Sequence, residues 1–187
     1  MTVAGILLAP GAGATRASPA LVAVEAAVAP LPVVRMDFPY RKAGRKAPDK
    51  APVLVRSVVE EAEALAGSLG VGTEALVLGG RSMGGRMCSM AVAEGLSAAG
   101  LVLLAYPLHP PGRPEKLRTE HLPDVRVPCL FVSGTRDPFG SPDELAAAVE
   151  LLGGPVTVHL VEGGGHDLKR ADAAVAAVVA DWVAGLG

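Results

Sequence analysis

Read along its length, the chain alternates short apolar runs with longer segments in which apolar residues recur every three or four positions. Six runs have strand length, at 5–10, 33–39, 75–80, 101–106, 129–134 and 156–162. Runs such as Leu76-Val77-Leu78 and Leu101-Val102-Leu103-Leu104 are continuous rather than alternating. That is the pattern of parallel strands covered on both faces. Five helical candidates lie between the strands and a sixth closes the chain. Strands that alternate with helices imply right-handed crossovers and a mainly parallel sheet with helices on both faces.

Several helices carry start signals. Ser18-Pro19 supplies an N-cap and a first-turn proline, and Ser141-Pro142-Asp143-Glu144 adds the glutamate of a capping box. After Ala51-Pro52, apolar residues at Leu54, Val55, Val58, Val59, Ala62, Leu65 and Leu69 keep helical spacing. The last segment sets Leu168, Ala171, Val175, Val178, Val179, Trp182 and Leu186 on one stripe, a packing face in which Trp182 is core. The least regular stretch, 107–128, is rich in proline and charge and reads as a surface excursion holding a short helix. With no linker or repeat, the 187 residues (1–187) read as one domain.

Composition narrows this picture. Half the residues are hydrophobic but only 3% are aromatic, so the core must be aliphatic. A net charge of -2 argues against nucleic acid or an anionic membrane as partner. Cys88 and Cys129, far apart and without metal-ligand spacing, read as reduced structural thiols. The apolar start, 1–14, lacks a basic segment and is interrupted by Pro10-Gly11, so it does not read as a signal peptide. No run reaches the ~18 apolar residues of a membrane span. A cytoplasmic protein is the expectation.

The chemistry gathers where strands end, as it does in such sheets. Leu76-Val77-Leu78-Gly79 runs into Gly80-Arg81-Ser82-Met83-Gly84, a strand followed by G-x-S-x-G and a helical segment. This is a nucleophile elbow: a serine on a sharp turn, with small residues two before and two after. A tight strand-to-helix turn with no chemistry would use the same glycines. An acid and a base at later strand ends, in the order Ser, Asp, His, favour the elbow. Asp137 follows the strand at 129–134, and His166 follows the one at 156–162. His166 would take the Ser82 proton, and Asp137 would fix the imidazole. His159 lies within a strand, His121 in the charged excursion where solvation is expected, and His109 precedes the acid. Asp37 is the alternative acid, with a turn or salt bridge as its other role. Met83 and Ala12, the latter in the loop Pro10-Gly11-Ala12-Gly13, would donate amides to an oxyanion, with Gly13 as second choice. That loop lacks the Gly-Lys-Ser/Thr ending of a nucleotide loop.

Taken together, the chain resembles the small dienelactone-hydrolase-like α/β-hydrolases, the group that includes testis-expressed and chromatin-complex-associated hydrolase-like proteins. The resemblance spans nearly the whole chain. It rests on Pro10-Gly11-Ala12-Gly13, Asp37-Phe38-Pro39-Tyr40, Ala43-Gly44-Arg45-Lys46-Ala47-Pro48, 80–85, Tyr106-Pro107-Leu108-His109-Pro110-Pro111, 134–140 and 163–167. It implies a minimal α/β-hydrolase fold without a large cap domain, and it supports Ser82, Asp137 and His166 as the triad. Dienelactone hydrolases proper carry cysteine where this chain has Ser82, so their lactone substrate does not carry over. Many relatives begin the early loop with His-Gly where this chain has Pro10-Gly11.

Around the site, Arg41, Lys42, Arg45 and Lys46 would either meet an anionic substrate group or form a solvated loop balanced by Asp37 and Asp49. Arg81 and Arg136 flank the nucleophile and the acid, where they could support the loops. Gly13, Arg45, Tyr106 and His109 are the candidate substrate-binding residues. The expectation is a serine hydrolase acting on a small ester or thioester, with no metal or organic cofactor. The alternatives are a non-catalytic scaffold or a peptidase or amidase with the same triad.

Overall fold

Every apolar run of the sequence becomes a strand: β1 (Gly5–Ala9), β2 (Val33–Arg35), β3 (Leu76–Arg81), β4 (Gly100–Leu104), β5 (Cys129–Gly134) and β6 (Val156–Val161). In the computed structural model, which describes residues 2–186, they form one sheet in the order β2-β1-β3-β4-β5-β6. All neighbouring pairs are parallel, so the sheet is wholly rather than mainly parallel.

The helices are α1 (Pro19–Ala27), α2 (Pro39–Lys42), α3 (Ala51–Leu69), α4 (Met83–Ala93), α5 (Pro142–Val149) and α6 (Asp172–Ala184). Because both faces of the sheet are covered, successive strand residues bury into opposite cores. Leu7, Leu78, Leu103 and Phe131 pack with residues of α3, α4 and α5. Ile6, Val77, Val102 and Leu130 pack with residues of α1 and α6. The continuous apolar runs are this double burial written in sequence. Among the described residues no cap domain covers the carboxyl ends of the strands.

The departures are local. The run 33–39 yields only a three-residue strand, because Pro39 opens α2 at a first-turn position. The capping box at Ser141 and Glu144 forms, whereas the Ser18 hydroxyl makes no cap hydrogen bond and leaves Pro19 to set the start of α1. Leu168 does not belong to the final helix. It stands before it at φ 50° with its side chain buried, anchoring the loop after His166 in the second core. The stretch 107–128 holds only a 3₁₀ turn, Leu122–Asp124, yet it buries Leu108, Thr119, Leu122 and Val125. It is a packed cover on α4 rather than a loose excursion.

The sequence order reverses around β1: β2 lies on one side of it and β3 on the other. Loops that leave β1 and β3 therefore diverge, and a crevice opens between them at the carboxyl ends of the strands.

Candidate active site

Ser82 sits at the crevice, between β3 and α4, with φ 52° and ψ -119°. A non-glycine residue there is strained, and such strain persists only where the surroundings over-determine it. Here the Ser82 amide donates to the Leu104 carbonyl at 2.8 Å, and its carbonyl accepts from the Arg86 amide at 3.1 Å. The flanking glycines are required by contact. A Cβ on Gly80 would lie 2.0 Å from the Ala9 carbonyl oxygen, and one on Gly84 would lie 2.1 Å from the same atom. The turn is thus pressed directly against the end of β1, which is how the loop after β1 comes to lie beside Ser82.

The Ser82 Oγ is 2.8 Å from Nε2 of His166. On the other side of the ring, Nδ1 lies 2.8 Å and 3.0 Å from the two carboxylate oxygens of Asp137. The Asp137 side chain is only 1% exposed, and its Oδ1 also accepts the Phe139 amide at 2.8 Å. Two loops from neighbouring strands are locked together to hold this line. The Arg136 amide donates to the Gly164 carbonyl at 2.8 Å, and the Gly163 amide to the Thr135 hydroxyl at 2.8 Å. Arg81 adds a bond from Nη2 to the His166 carbonyl at 3.0 Å. Phe139 stacks on the imidazole, with ring centroids 3.9 Å apart. Support from Arg136 comes through its backbone, since its side chain is exposed.

Met83 begins α4, and Ala12 lies in the loop after β1; both line the cleft with Ser82. Among the described residues neither amide donates to another protein group. The Tyr40 hydroxyl donates to the Ala12 carbonyl at 2.6 Å and so fixes the loop. An imidazole beside an ordered hydroxyl, in a cleft also lined by two residues whose amides have no protein acceptor among the described residues, can move a proton and receive negative charge.

The cleft measures about 650 Å³ and is walled by the loop 11–14, Pro48, Leu54, Arg86, Arg118 and Phe139 among others. Gly13 lines it; Arg45, Tyr106 and His109 do not. Arg45 is turned to Asp49, which it holds through two bonds of 2.7 and 3.0 Å. Lys42 pairs with Glu61, so half of the basic loop is already balanced. Tyr106 is buried against Phe131, and burial pushes its phenol up to about 12. His109 is buried behind the wall, where it donates to the Pro110 carbonyl and lies 3.3 Å from Glu144. Asp37 ties the Arg16 amide at 2.7 Å and belongs to a loop rather than to the proton path. His159 is half-buried on the edge strand β6. His121 is not solvated: its Nε2 lies 2.8 Å from the Ser89 hydroxyl and 3.2 Å from that of Tyr106. Burial, with the Arg86 cation second, pushes its imidazole down to about 4.

Sequence reasoning missed Tyr40, Phe139, Arg86 and Arg118. Arg86 had a readable signal, since it follows Ser82 by one helical turn on the same face. Phe139 stands two residues after the acid. Arg118 and Tyr40 reach the site only through loop paths that no spacing rule encodes.

A family model for the alpha/beta hydrolase domain matches residues 2–179. Among solved structures, a dienelactone hydrolase from Anabaena variabilis is similar at 20% identity and a TM-score of 0.78, over 98% of this chain and 87% of its own. An alpha-beta serine hydrolase homologue from Coxiella burnetii matches at 15% identity and a TM-score of 0.77, over 97% and 86%. The type II thioesterase of the borrelidin biosynthetic cluster matches at 20% identity and 0.70, over 96% and 92%. At such identities the structural likeness is one of fold.

Proposed function

The chain belongs to the alpha/beta hydrolase domain family, and from that premise we propose that it is a serine hydrolase acting on a small carboxylic ester or thioester. The observation that carries this reading is the unbroken line from the Ser82 hydroxyl through His166 to the buried Asp137. His166 accepts the Ser82 proton as Oγ attacks the acyl carbon. The Met83 and Ala12 amides receive the charge of the tetrahedral intermediate. His166 then returns the proton to the leaving group, and water later releases the acyl chain from Ser82 by the same route. Asp137 holds the tautomer and stabilises the imidazolium. The open cleft suits small esters better than long lipids, and neighbours of esterase and thioesterase type support both acyl classes. No helix among the described residues is long and apolar enough to cross a membrane.

The test is labelling with a fluorophosphonate probe, together with a panel of p-nitrophenyl acyl esters. Labelling of wild type that disappears in Ser82→Ala is the expected result. A well-folded wild type that neither labels nor turns over any ester would make the chain a binding protein on a hydrolase fold.

A further inference from the structure

The cleft beside Ser82 carries three arginines, Arg81, Arg86 and Arg118, and one carboxylate, Asp49. Two of these four are already engaged. Arg81 holds the His166 carbonyl, and Asp49 is held by Arg45. Arg86 and Arg118 take part in none of the ion pairs among the described residues. The Nε of Arg86 is buried and has no hydrogen-bond partner. Both residues line the cleft and neither guanidinium is held by a carboxylate among the described residues, so an incoming anion would meet two uncompensated cations there.

Arg86 also acts on Arg118. The Arg118 pKa is lowered, by burial first and by Arg86 second. Glu120 and Asp124 are the acidic groups that act on this cluster through His121, but both are exposed and neither pairs with an arginine. His121 is half-buried and its imidazole is pushed down to about 4, by burial first and Arg86 second, so at neutral pH it does not compete for an anion as a cation.

The backbone around the pair is fixed in advance. The Ser89 Oγ lies 2.8 Å from the Arg86 carbonyl, and the Arg118 amide donates to the Leu108 carbonyl at 2.8 Å. The Tyr106 hydroxyl lies 3.4 Å from the Arg118 carbonyl, and His121 bridges Ser89 and Tyr106. One buried polar cluster therefore anchors both arginines, from α4 on one side and from the 107–128 cover on the other. Two guanidinium groups carried on fixed backbone and lining one cleft are suited to a carboxylate or a phosphate.

We propose that Arg86 and Arg118 form an anion-binding subsite beside Ser82, so that the preferred substrate is a small ester or thioester carrying a carboxylate or phosphate. This rests on the reading of Ser82 as nucleophile. It replaces the basic loop around Arg45 as the anion site, because Arg45 already has its carboxylate.

Two pairs of substrates separate the sources of the anion. p-Nitrophenyl hydrogen glutarate is compared with p-nitrophenyl valerate, and S-butyryl pantetheine 4′-phosphate with S-butyryl pantetheine. The readout is the ratio of kcat/KM for the charged member to that for its neutral partner. We expect wild type to favour the charged member in one pair at least, and that pair names the anion. The ratio should fall by about 10- to 100-fold in Arg86→Gln and in Arg118→Gln, with partial retention in Arg86→Lys. A wild-type ratio within twofold of unity in both pairs, or a preference that survives both glutamine variants, overturns the subsite. Hydrolysis of p-nitrophenyl valerate that is lost in Ser82→Ala reads the nucleophile separately, so the two proposals can fail independently. If no ester turns over, calorimetric titration with glutarate and with inorganic phosphate decides instead. Binding weakened at least tenfold in Arg118→Gln supports the subsite, and no binding of either anion to wild type overturns it. Should Arg86→Gln fail to fold by circular dichroism, Arg118→Gln and Arg86→Lys carry the test.

Discussion

Two serine–histidine pairs lie within two turns of one helix and look alike by distance. Ser82 Oγ is 2.8 Å from Nε2 of His166, and Ser89 Oγ is 2.8 Å from Nε2 of His121. What surrounds them differs in every respect that matters for chemistry. Ser82 opens on the cleft from a strained backbone at φ 52°, whereas Ser89 lies inside α4 and is 0% exposed. Behind His166 stands the buried carboxylate of Asp137. Behind His121 no carboxylate is paired, and the Arg86 cation lies near instead. An imidazole held down to about 4 is a weak base at neutral pH, so the second pair serves as a tie between helix and cover. Hydroxyl-to-imidazole distance alone is not a mark of catalysis. The orienting acid, the exposure and the backbone are.

The sharpest way to break this comparison is to delete each hydroxyl in turn. Ser82→Ala should lower kcat by about 10⁴- to 10⁶-fold, and His166→Ala by a similar factor, measured on one p-nitrophenyl ester at saturation. Asp137→Asn should follow at about 10³- to 10⁴-fold, since the ring would lose its orienter while keeping its place. Ser89→Ala should cost less than tenfold in kcat and about 1 kcal/mol in urea unfolding. If Ser89→Ala matched Ser82→Ala in a protein of undiminished stability, the assignment of roles would be reversed.

The pressed contact at the elbow gives a smaller effect of a different kind. Gly84→Ala would drive a Cβ to 2.1 Å from the Ala9 carbonyl oxygen, where only backbone could yield. Loss of about 3 kcal/mol or more in denaturant unfolding is expected, because the clash is with backbone rather than with a flexible side chain. Tyr40→Phe removes only the bond to the Ala12 carbonyl. It should cost about 1 kcal/mol and lower kcat a fewfold with little change in KM, the signature of a loosened amide donor.

The same comparison shows what a sequence can carry. The four inner strands are legible because burial on both faces leaves continuous apolar runs, whereas β2 and β6, at the edges, are only partly buried. Ser82, Asp137 and His166 were legible as candidates because each follows a strand, and parallel strands deliver their ends to one edge. Charge in 107–128 suggests exposure for His121, but the structure bonds it to Ser89 and Tyr106. In the fold, that segment turns most of its charges outward, sends Arg118 to the cleft and buries Leu108, Leu122 and Val125 in the core shared with α4. Tyr106 and His109 follow a strand just as Asp137 does, yet they point into the core behind the cleft. Position after a strand selects an edge of the sheet, but side-chain direction within a loop depends on packing that spacing does not record. Arg118 was out of reach for the same reason.

The smallest effect is also the most discriminating, because two histidines outside the proton path should titrate with opposite sign. His121 is held near 4, below the ordinary 6.5, by burial and then by Arg86. Between those values the unfolded chain binds a proton that the folded chain does not. Its contribution is therefore fully present above about 6.5 and is lost as pH falls towards 4. His109 is raised above 6.5, through its bond to the Pro110 carbonyl first and Glu144 next. Its contribution is present below 6.5 and is lost as pH rises through the folded value. Thermal melts followed by circular dichroism from about pH 4.5 to 8.5 read both arms. His121→Gln should flatten the acid arm and leave the alkaline arm as it is, and His109→Gln should do the reverse. An acid arm left unchanged by His121→Gln would mean that His121 meets solvent after all. The tie between α4 and its cover would then have to rest on Ser89 and Tyr106 without a neutral imidazole between them.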